Sequence, residues 1–368
     1  MSRPLTLVMD LTERCNLRCV MCYFSSTDRI RFTPFDRQLS DNGNMPTEVF
    51  EQIAAGLFPR AHKVALGCAA EPLVHPKFAE LVKIAGRYQV PELWFPTNLL
   101  ALTEAKAQAI VEAGVATVAV SMDGTDEKTY EKIRVGGKWS LFKARLDMLN
   151  AARKGSRTRL RFIFTWMKSN QHDLRNLPAF AQEHGASDLD VRFVTPTVGV
   201  DVTPELLGGE DRHWLDNELA RVAEDAVRRG LKLAYYPEFQ TADDLRRHPL
   251  IRLKRALWRV KAGLYRPEYF LYKWHKKQNG CAYPGRTYVI RPNGAVSPCI
   301  FWEGEPMGLL PAAEGFVAID ARIEEIRQGL RCGNPEGTCK TCAIRRDAFY
   351  VPERHGEDLA PAPTLAKT

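Results

Sequence analysis

No apolar run in this 368-residue chain approaches the roughly 20 residues that span a bilayer. At the N-terminus, MSRPLTLVMDLTERC places Asp10 and Glu13 where a secretory signal needs an unbroken apolar core. These two absences exclude an anchor and an export signal and read as a soluble cytoplasmic protein. No internal repeat is visible, which sets solenoids aside. Histidine is missing from RCNLRCVMCYF, Arg14 to Phe24, although that stretch holds Cys15, Cys19 and Cys22. The following YFSSTDRIRF adds no fourth ligand, whereas a structural zinc site closes with a fourth Cys or His.

What is present is a composition with 45% hydrophobic residues, enough for one large domain and a smaller one. Nine cysteines are an odd number. Most of them cluster, which in a cytosolic chain points to metal ligation rather than a disulfide framework. The formal charge of +8 is local: from Arg246 to Lys277 eleven Lys or Arg face one acid, Glu268, giving +10 there and −2 elsewhere. That pattern describes a surface or channel, not a chain that coats nucleic acid.

Short apolar runs alternate with helical patterns. Strands are expected at 5–11, 63–67, 92–96, 116–122, 159–166 and 189–194, with helices such as TEVFEQIAAGLF and TEAKAQAIVEAGV between them. Such alternation gives parallel strands with right-handed crossovers. Polar groups follow every strand: the cysteines, then Cys68 and Glu71, Thr97 and Asn98, Ser121 and Asp123, Thr165 and Lys168, and Thr195. Collection of such groups at every carboxyl end favours a mouth shared by all strands over a single switch point. The expected fold class is therefore α/β, a partial (β/α)6 TIM-like barrel over 1–205. A helical, basic connecting region spans 206–280 and contains one further strand at 231–237. A small α+β module spans 281–350, with a hairpin in RTYVIRPNGAVSPCIF turning at Pro292 to Gly294. The tail 351–368 is Pro- and Ala-rich and reads as disordered.

Three thiolates in one loop, with spacings of three and two, can hold three corners of a compact centre and leave the fourth open. CNLRCVMC followed by Tyr23 resembles the Cys-x3-Cys-x2-Cys signature of the radical SAM enzymes. The resemblance implies a 4Fe-4S cluster on Cys15, Cys19 and Cys22 whose open iron chelates S-adenosylmethionine. One-electron reduction, from a carrier such as flavodoxin or ferredoxin, then gives a 5′-deoxyadenosyl radical. It further implies cofactor contacts from Tyr23, Glu71, Asn98, Ser121, Asp123 and Arg134. GCAAEPLVHP stands where the family has a Gly-Gly-Glu-Pro segment that meets the methionine amino group, with Ala69 and Ala70 departing from it. Met21 departs where an aromatic residue beside the adenine is usual. Each polar residue has a structural alternative: Asn98 and Asp123 as turn formers or caps, Arg134 as a surface ion pair.

Downstream, Cys281 and Cys299 flank the hairpin, and CKTC supplies Cys339 and Cys342. This resembles a SPASM/Twitch auxiliary module in its shorter form, implying a second 4Fe-4S cluster; a four-cysteine zinc site is the alternative. Cys68 and Cys332 are then left over. They are either small buried hydrophobes or thiols that return a hydrogen atom to a substrate radical.

The expected reaction is oxidation or epimerisation of a small-molecule or glycan-like substrate, such as a sugar or cyclitol that is phosphorylated, nucleotide- or lipid-linked. Modification of a ribosomal peptide is the second expectation; against it, the chain begins directly at its first strand. A third is a non-enzymatic iron-sulfur or zinc protein. The basic, aromatic stretch 246–277 reads either as an amphipathic connecting helix or as a contact for anionic membrane or lipid-linked substrate, with peripheral membrane localisation. Nucleic acid ranks last as a partner, because no recognisable module surrounds the aromatics.

Overall fold

The computed structural model describes residues 5–22, 42–194, 200–207, 212–235, 281, 287–300, 302, 305–311 and 313–340. Seven strands, β1 (Leu5–Met9), β2 (Ala61–Ala65), β3 (Glu92–Thr97), β4 (Thr117–Ser121), β5 (Arg159–Trp166), β6 (Asp188–Phe193) and β7 (Lys232–Tyr235), lie side by side in chain order. Each pairs in parallel with the next. A sheet without reversal of strand order winds in one direction, which is the arrangement of a barrel and not of a doubly wound sheet. The arc gains one strand over the six expected from alternation, because the short LKLAYYP run joins it as β7.

Helices α1 (Thr47–Leu57), α2 (Phe78–Gly86), α3 (Glu104–Glu112), α4 (Glu127–Ile133), α5 (Trp139–Ala152), α6 (Leu177–Glu183) and α7 (Arg212–Arg228) fill the crossovers. Alternation along β5 explains their placement. Leu160, Phe162, Phe164 and Trp166 are fully buried in the main core, and Phe162 meets Phe180 of α6 at 5.8 Å between ring centres. Each such side chain contributes about 1.5–3 kcal/mol of burial. The intervening Arg159, Arg161 and Thr165 are only half-buried, so they face the concave side. On β6, Asp188, Asp190 and Arg192 continue that polar inner wall: Arg161 and Asp188 are register partners, as are Thr165 and Arg192.

The sheet also extends past β1. In the C-terminal segment, β8 (Thr287–Ile290) pairs in parallel with β1, then β9 (Ala295–Ser297) and β10 (Gly308–Leu309) follow as antiparallel neighbours. β8 is apolar and buried along its length, so it needs a partner on each side, and β1 supplies one. The expected turn forms at Gly294, whose φ is +81°; a Cβ there would meet the Leu310 carbonyl oxygen at 1.9 Å. Helix α8 (Ala313–Arg331) covers the N-terminal side, where Phe316 abuts Gly56 of α1. No helix among the described residues is long and apolar enough to cross a membrane.

Candidate functional site

The loop after β1 carries Cys15, Cys19 and Cys22, and the strand fixes where it starts. The loop is pinned to the turn after α4: Arg18 N–H donates to Val135 O at 2.9 Å and Val20 N–H to Ile133 O at 3.0 Å. Cys22 N–H returns to Cys19 O at 3.0 Å, folding the loop on itself. The three thiols are electrostatic neighbours. Burial, and then the charges of Glu71, Cys19 and Cys22, push the Cys15 thiol up to about 11. Burial raises Cys19 as well, against the pull of Arg134.

Two donors from other elements reach these sulfurs. Asn98, at the exit of β3, places Nδ2 3.9 Å from Cys15 Sγ while donating to Asn16 Oδ1 at 2.8 Å. Arg134, at the end of α4, places Nη1 3.8 Å from Cys19 Sγ. Its Nη2 lies 2.6 Å from Asp123 Oδ2, and its Nε is buried without a hydrogen-bond partner. Asp123 is fully buried; its Oδ1 accepts from Thr165 N–H at 2.7 Å, and Asn170 donates to its carbonyl at 2.9 Å. Asp123 therefore orients Arg134 from the exits of β4 and β5. Burial works against the guanidinium charge, but Asp123, Cys19 and Tyr130 together outweigh it, so the Arg134 pKa is raised.

Glu71 is a hub. Its carboxylate accepts from Leu73 N–H at 3.0 Å, Thr97 Oγ1 at 2.6 Å and Asn98 N–H at 2.5 Å, and its own N–H donates to Arg14 O at 3.0 Å. It thus ties the exits of β2 and β3 to the cysteine loop. Burial raises its pKa against those three hydrogen bonds. Ser121 stands half-buried at the end of β4. Met21 packs beside Ile133, Met167 and Val194, at the exits of β5 and β6.

Cys68 has exposed surface. The protein mass around it and the Asp10 carboxylate nevertheless push its thiol up to about 12. Asp10 itself is buried and accepts from Cys68 N–H at 2.7 Å and Ala69 N–H at 2.9 Å. Cys332 is exposed, and its N–H closes the last turn of α8 on Gln328 O at 2.9 Å; no described contact brings it to Cys68.

In the C-terminal segment, Trp302 N–H donates to Cys299 O at 3.4 Å, and the Trp302 ring lies 3.3 Å from where a Cβ on Gly337 would be. That contact brings the segments of Cys299 and Cys339 together. Cys339 is buried and Cys281 is half-buried against the same core. Tyr23, Cys342 and the basic stretch 246–277 lie outside the described residues.

Residues that the sequence reading passed over are Asn16, Asn170 and the Asp10–Arg291 pair, all of which hold a named site residue or its loop; Thr97, expected only as a polar group after its strand, turns out to hold Glu71. An acid at the end of an apolar strand was the available signal for Asp10. Among the described residues no three ligating side chains gather closely enough to hold a single metal ion. The donor set fits the larger 4Fe-4S cluster and S-adenosylmethionine instead, with three thiols in mutual electrostatic reach, N–H donors against two of the sulfurs, and an unpartnered buried guanidinium nitrogen beside them.

The Radical SAM superfamily model matches residues 9–176. Over 190 residues the chain is 29% identical to a GTP 3′,8-cyclase of Pseudomonas fluorescens (strain Pf0-1), covering 51% of this chain and 52% of that protein. Over 204 residues it is 28% identical to the mycofactocin maturase MftC of Mycobacterium ulcerans (strain Agy99), covering 55% of this chain and 51% of that protein. The chain thus spans about half the length of these curated relatives. Streptococcus suis SuiB bound to S-adenosylmethionine superposes with a TM-score of 0.63 at 16% identity, over 90% of this chain and 68% of that one. SuiB bound to its precursor peptide SuiA superposes with a TM-score of 0.57 at 16% identity, over 82% and 60%. Likeness at that identity speaks to the fold alone. The family's cofactors are S-adenosylmethionine and a 4Fe-4S cluster, and the matched segment starts at the end of β1 and contains all three loop cysteines. The chain therefore carries a radical SAM domain, with its three-cysteine loop at the carboxyl ends of a partial barrel.

Proposed function

We propose that the chain is an enzyme that abstracts a hydrogen atom from a substrate held over the carboxyl ends of the strands, leading to oxidation or epimerisation of a sugar-like or cyclitol substrate. When bound, S-adenosylmethionine and the cluster supply a 5′-deoxyadenosyl radical, given one electron by a carrier such as flavodoxin or ferredoxin. Cys15, Cys19 and Cys22 would hold the cluster, with Asn98 and Arg134 as donors to its sulfur ligands. Glu71 would hold the loop that meets the methionine amino group, and Ser121 and Met21 would contact the rest of the cofactor, with Tyr23 carried over from the sequence motif alone. Cys281, Cys299, Cys339 and Cys342 would hold the auxiliary cluster.

The observation that carries this reading is the pair of N–H donors, one from the exit of β3 and one from the end of α4, on two sulfurs of the three-cysteine loop. Epimerisation draws on Cys68. Raised to about 12, its sulfur keeps its hydrogen at neutral pH, as a hydrogen-atom donor must. The thiyl radical left behind would take one electron from the same reduced carrier and one proton from water to restore the thiol.

A peptide substrate is the second reading. It is supported by the likeness to a curated maturase and to SuiB, whose structure holds a precursor peptide. The experiment for both is anaerobic reconstitution, reduction and assay of 5′-deoxyadenosine release with sugar, cyclitol and peptide panels. Release stimulated by one panel identifies the substrate class. No release under any condition overturns the enzyme reading.

A further inference from the structure

One carboxylate joins three separate segments at the barrel mouth. Asp10 ends β1, and its N–H donates to Ile290 O at 2.9 Å, extending the ladder between β1 and β8. Its Oδ1 takes the N–H groups of Cys68 and Ala69, at 2.7 and 2.9 Å. Its Oδ2 lies 2.6 Å from Nη1 of Arg291, in the hairpin between β8 and β9. The Asp10 side chain is 3% exposed and that of Arg291 24%. A carboxylate so buried holds its charge only with a counter-charge, and Arg291 is a counter-charge contributed by the C-terminal segment.

The Arg291 backbone is fixed in turn. Its N–H donates to Ala295 O and its carbonyl accepts from Gly294 N–H, both at 2.9 Å, so the hairpin that leads to Cys299 sets where the guanidinium stands. The loop that Asp10 holds runs through Cys68, Ala69 and Ala70 to Glu71, whose three accepted hydrogen bonds lock the far end. Its near end is locked by Asp10 alone among the hydrogen bonds described.

We propose that Arg291 is a positioning residue: through Asp10 it holds the Cys68–Ala70 loop in the shape that receives the methionine end of S-adenosylmethionine, so the C-terminal segment sets cofactor affinity from outside the radical SAM domain. The inference rests on the cofactor reading above. Without Arg291, the Asp10 carboxylate loses its buried partner and turns toward water, which weakens its grip on two N–H groups. The adenosine end of the cofactor, placed by other strand exits, is not touched by the change.

The test is equilibrium binding to the anaerobically reconstituted full chain, unreduced, for wild type, Arg291→Met, Arg291→Gln and Arg291→Lys. Two probes are used: S-adenosylmethionine, and 5′-methylthioadenosine, which keeps the nucleoside and sulfur but lacks the amino and carboxylate groups. Arg291→Met is expected to weaken S-adenosylmethionine binding about tenfold, as loss of a charged hydrogen-bonded partner does, with 5′-methylthioadenosine binding and iron content unchanged. Arg291→Gln falls between, and Arg291→Lys recovers most of the loss. Should Arg291→Met not fold, the Gln variant carries the same expectation with a smaller change. Unchanged S-adenosylmethionine binding in the Met or Gln variant overturns the inference, as does equal weakening of both probes or a Lys variant no better than Met. If the wild-type chain itself binds no S-adenosylmethionine, the cofactor reading fails instead, which separates the two failures.

Discussion

Replacing Arg134 with methionine removes the partner of a carboxylate that has no exposed surface. Asp123 lies 2.6 Å from the guanidinium, with side-chain exposures of 0% and 10%. At an effective dielectric of about 20, the attraction across that distance is about 6 kcal/mol, most of it offset by the cost of taking both charges out of water. Breaking a buried pair from one side costs about 3–5 kcal/mol, because the remaining charge has nothing to offset its burial. Arg134→Met should lose that much, read as a fall in the urea midpoint at unchanged slope. In Asp123→Asn/Arg134→Met the charge is gone, and Asn keeps an oxygen for the Thr165 N–H; the loss should shrink to about 2 kcal/mol or less. A single variant that loses less than about 1 kcal/mol, or a double variant as unstable as the sum of its parts, refutes the claim that Asp123 depends on Arg134.

Three further outcomes follow from the same geometry. Alanine at Cys15, Cys19 or Cys22 should each abolish binding of the loop's cluster while the far-ultraviolet circular dichroism of the chain is kept, since the core of the sheet lies elsewhere; retained cluster in any of the three contradicts the ligand assignment. With a turned-over substrate in deuterated water, product from the wild type should carry one deuterium at the abstracted position, and Cys68→Ala should lose that label; label retained in the variant removes Cys68 as hydrogen donor. Glu218 of α7 takes a two-point hydrogen bond from Arg175, which first among its neighbours holds its pKa below the ordinary 4.5. A depressed carboxylate stabilises the fold above its unfolded pKa and stops doing so as pH falls through its folded pKa. Glu218→Gln should therefore cost about 1–2 kcal/mol at pH 7, allowing for the half-exposed Arg175, and the difference from wild type should close below about pH 4; a difference independent of pH contradicts the pairing.

The strands were legible because their faces differ. Apart from Ile163, RLRFIFTW alternates polar and apolar residues in the way an arc with a polar hollow and a helix-covered outside demands, and β5 occupies the expected 159–166. The three-cysteine pattern of Cys15, Cys19 and Cys22 could be read because spacing within one loop is local information, and it lies in the segment that matches the Radical SAM superfamily model. Long-range pairing was not. β8 reads as half of a hairpin, which it is, but its parallel pairing to β1 leaves no local mark. Nor did Asp10 announce a partner 281 residues away. Asp123 and Arg134 were each read singly, as contacts to the cofactor, whereas the folded chain makes them a pair in which one orients the other. A sequence shows which polar groups reach a strand end, and only the packed barrel shows which of them neutralise one another.

The central claim is an iron site left open by a three-cysteine loop. Electron-nuclear double resonance of the anaerobically reduced protein, with S-adenosylmethionine labelled by nitrogen-15 at the amino group and oxygen-17 at the carboxylate, tests it most directly. Hyperfine coupling of both labels to the reduced cluster, lost when Cys19 is replaced by alanine, is the predicted result. A reduced cluster that couples to neither label, or a loop occupied by zinc, would contradict it.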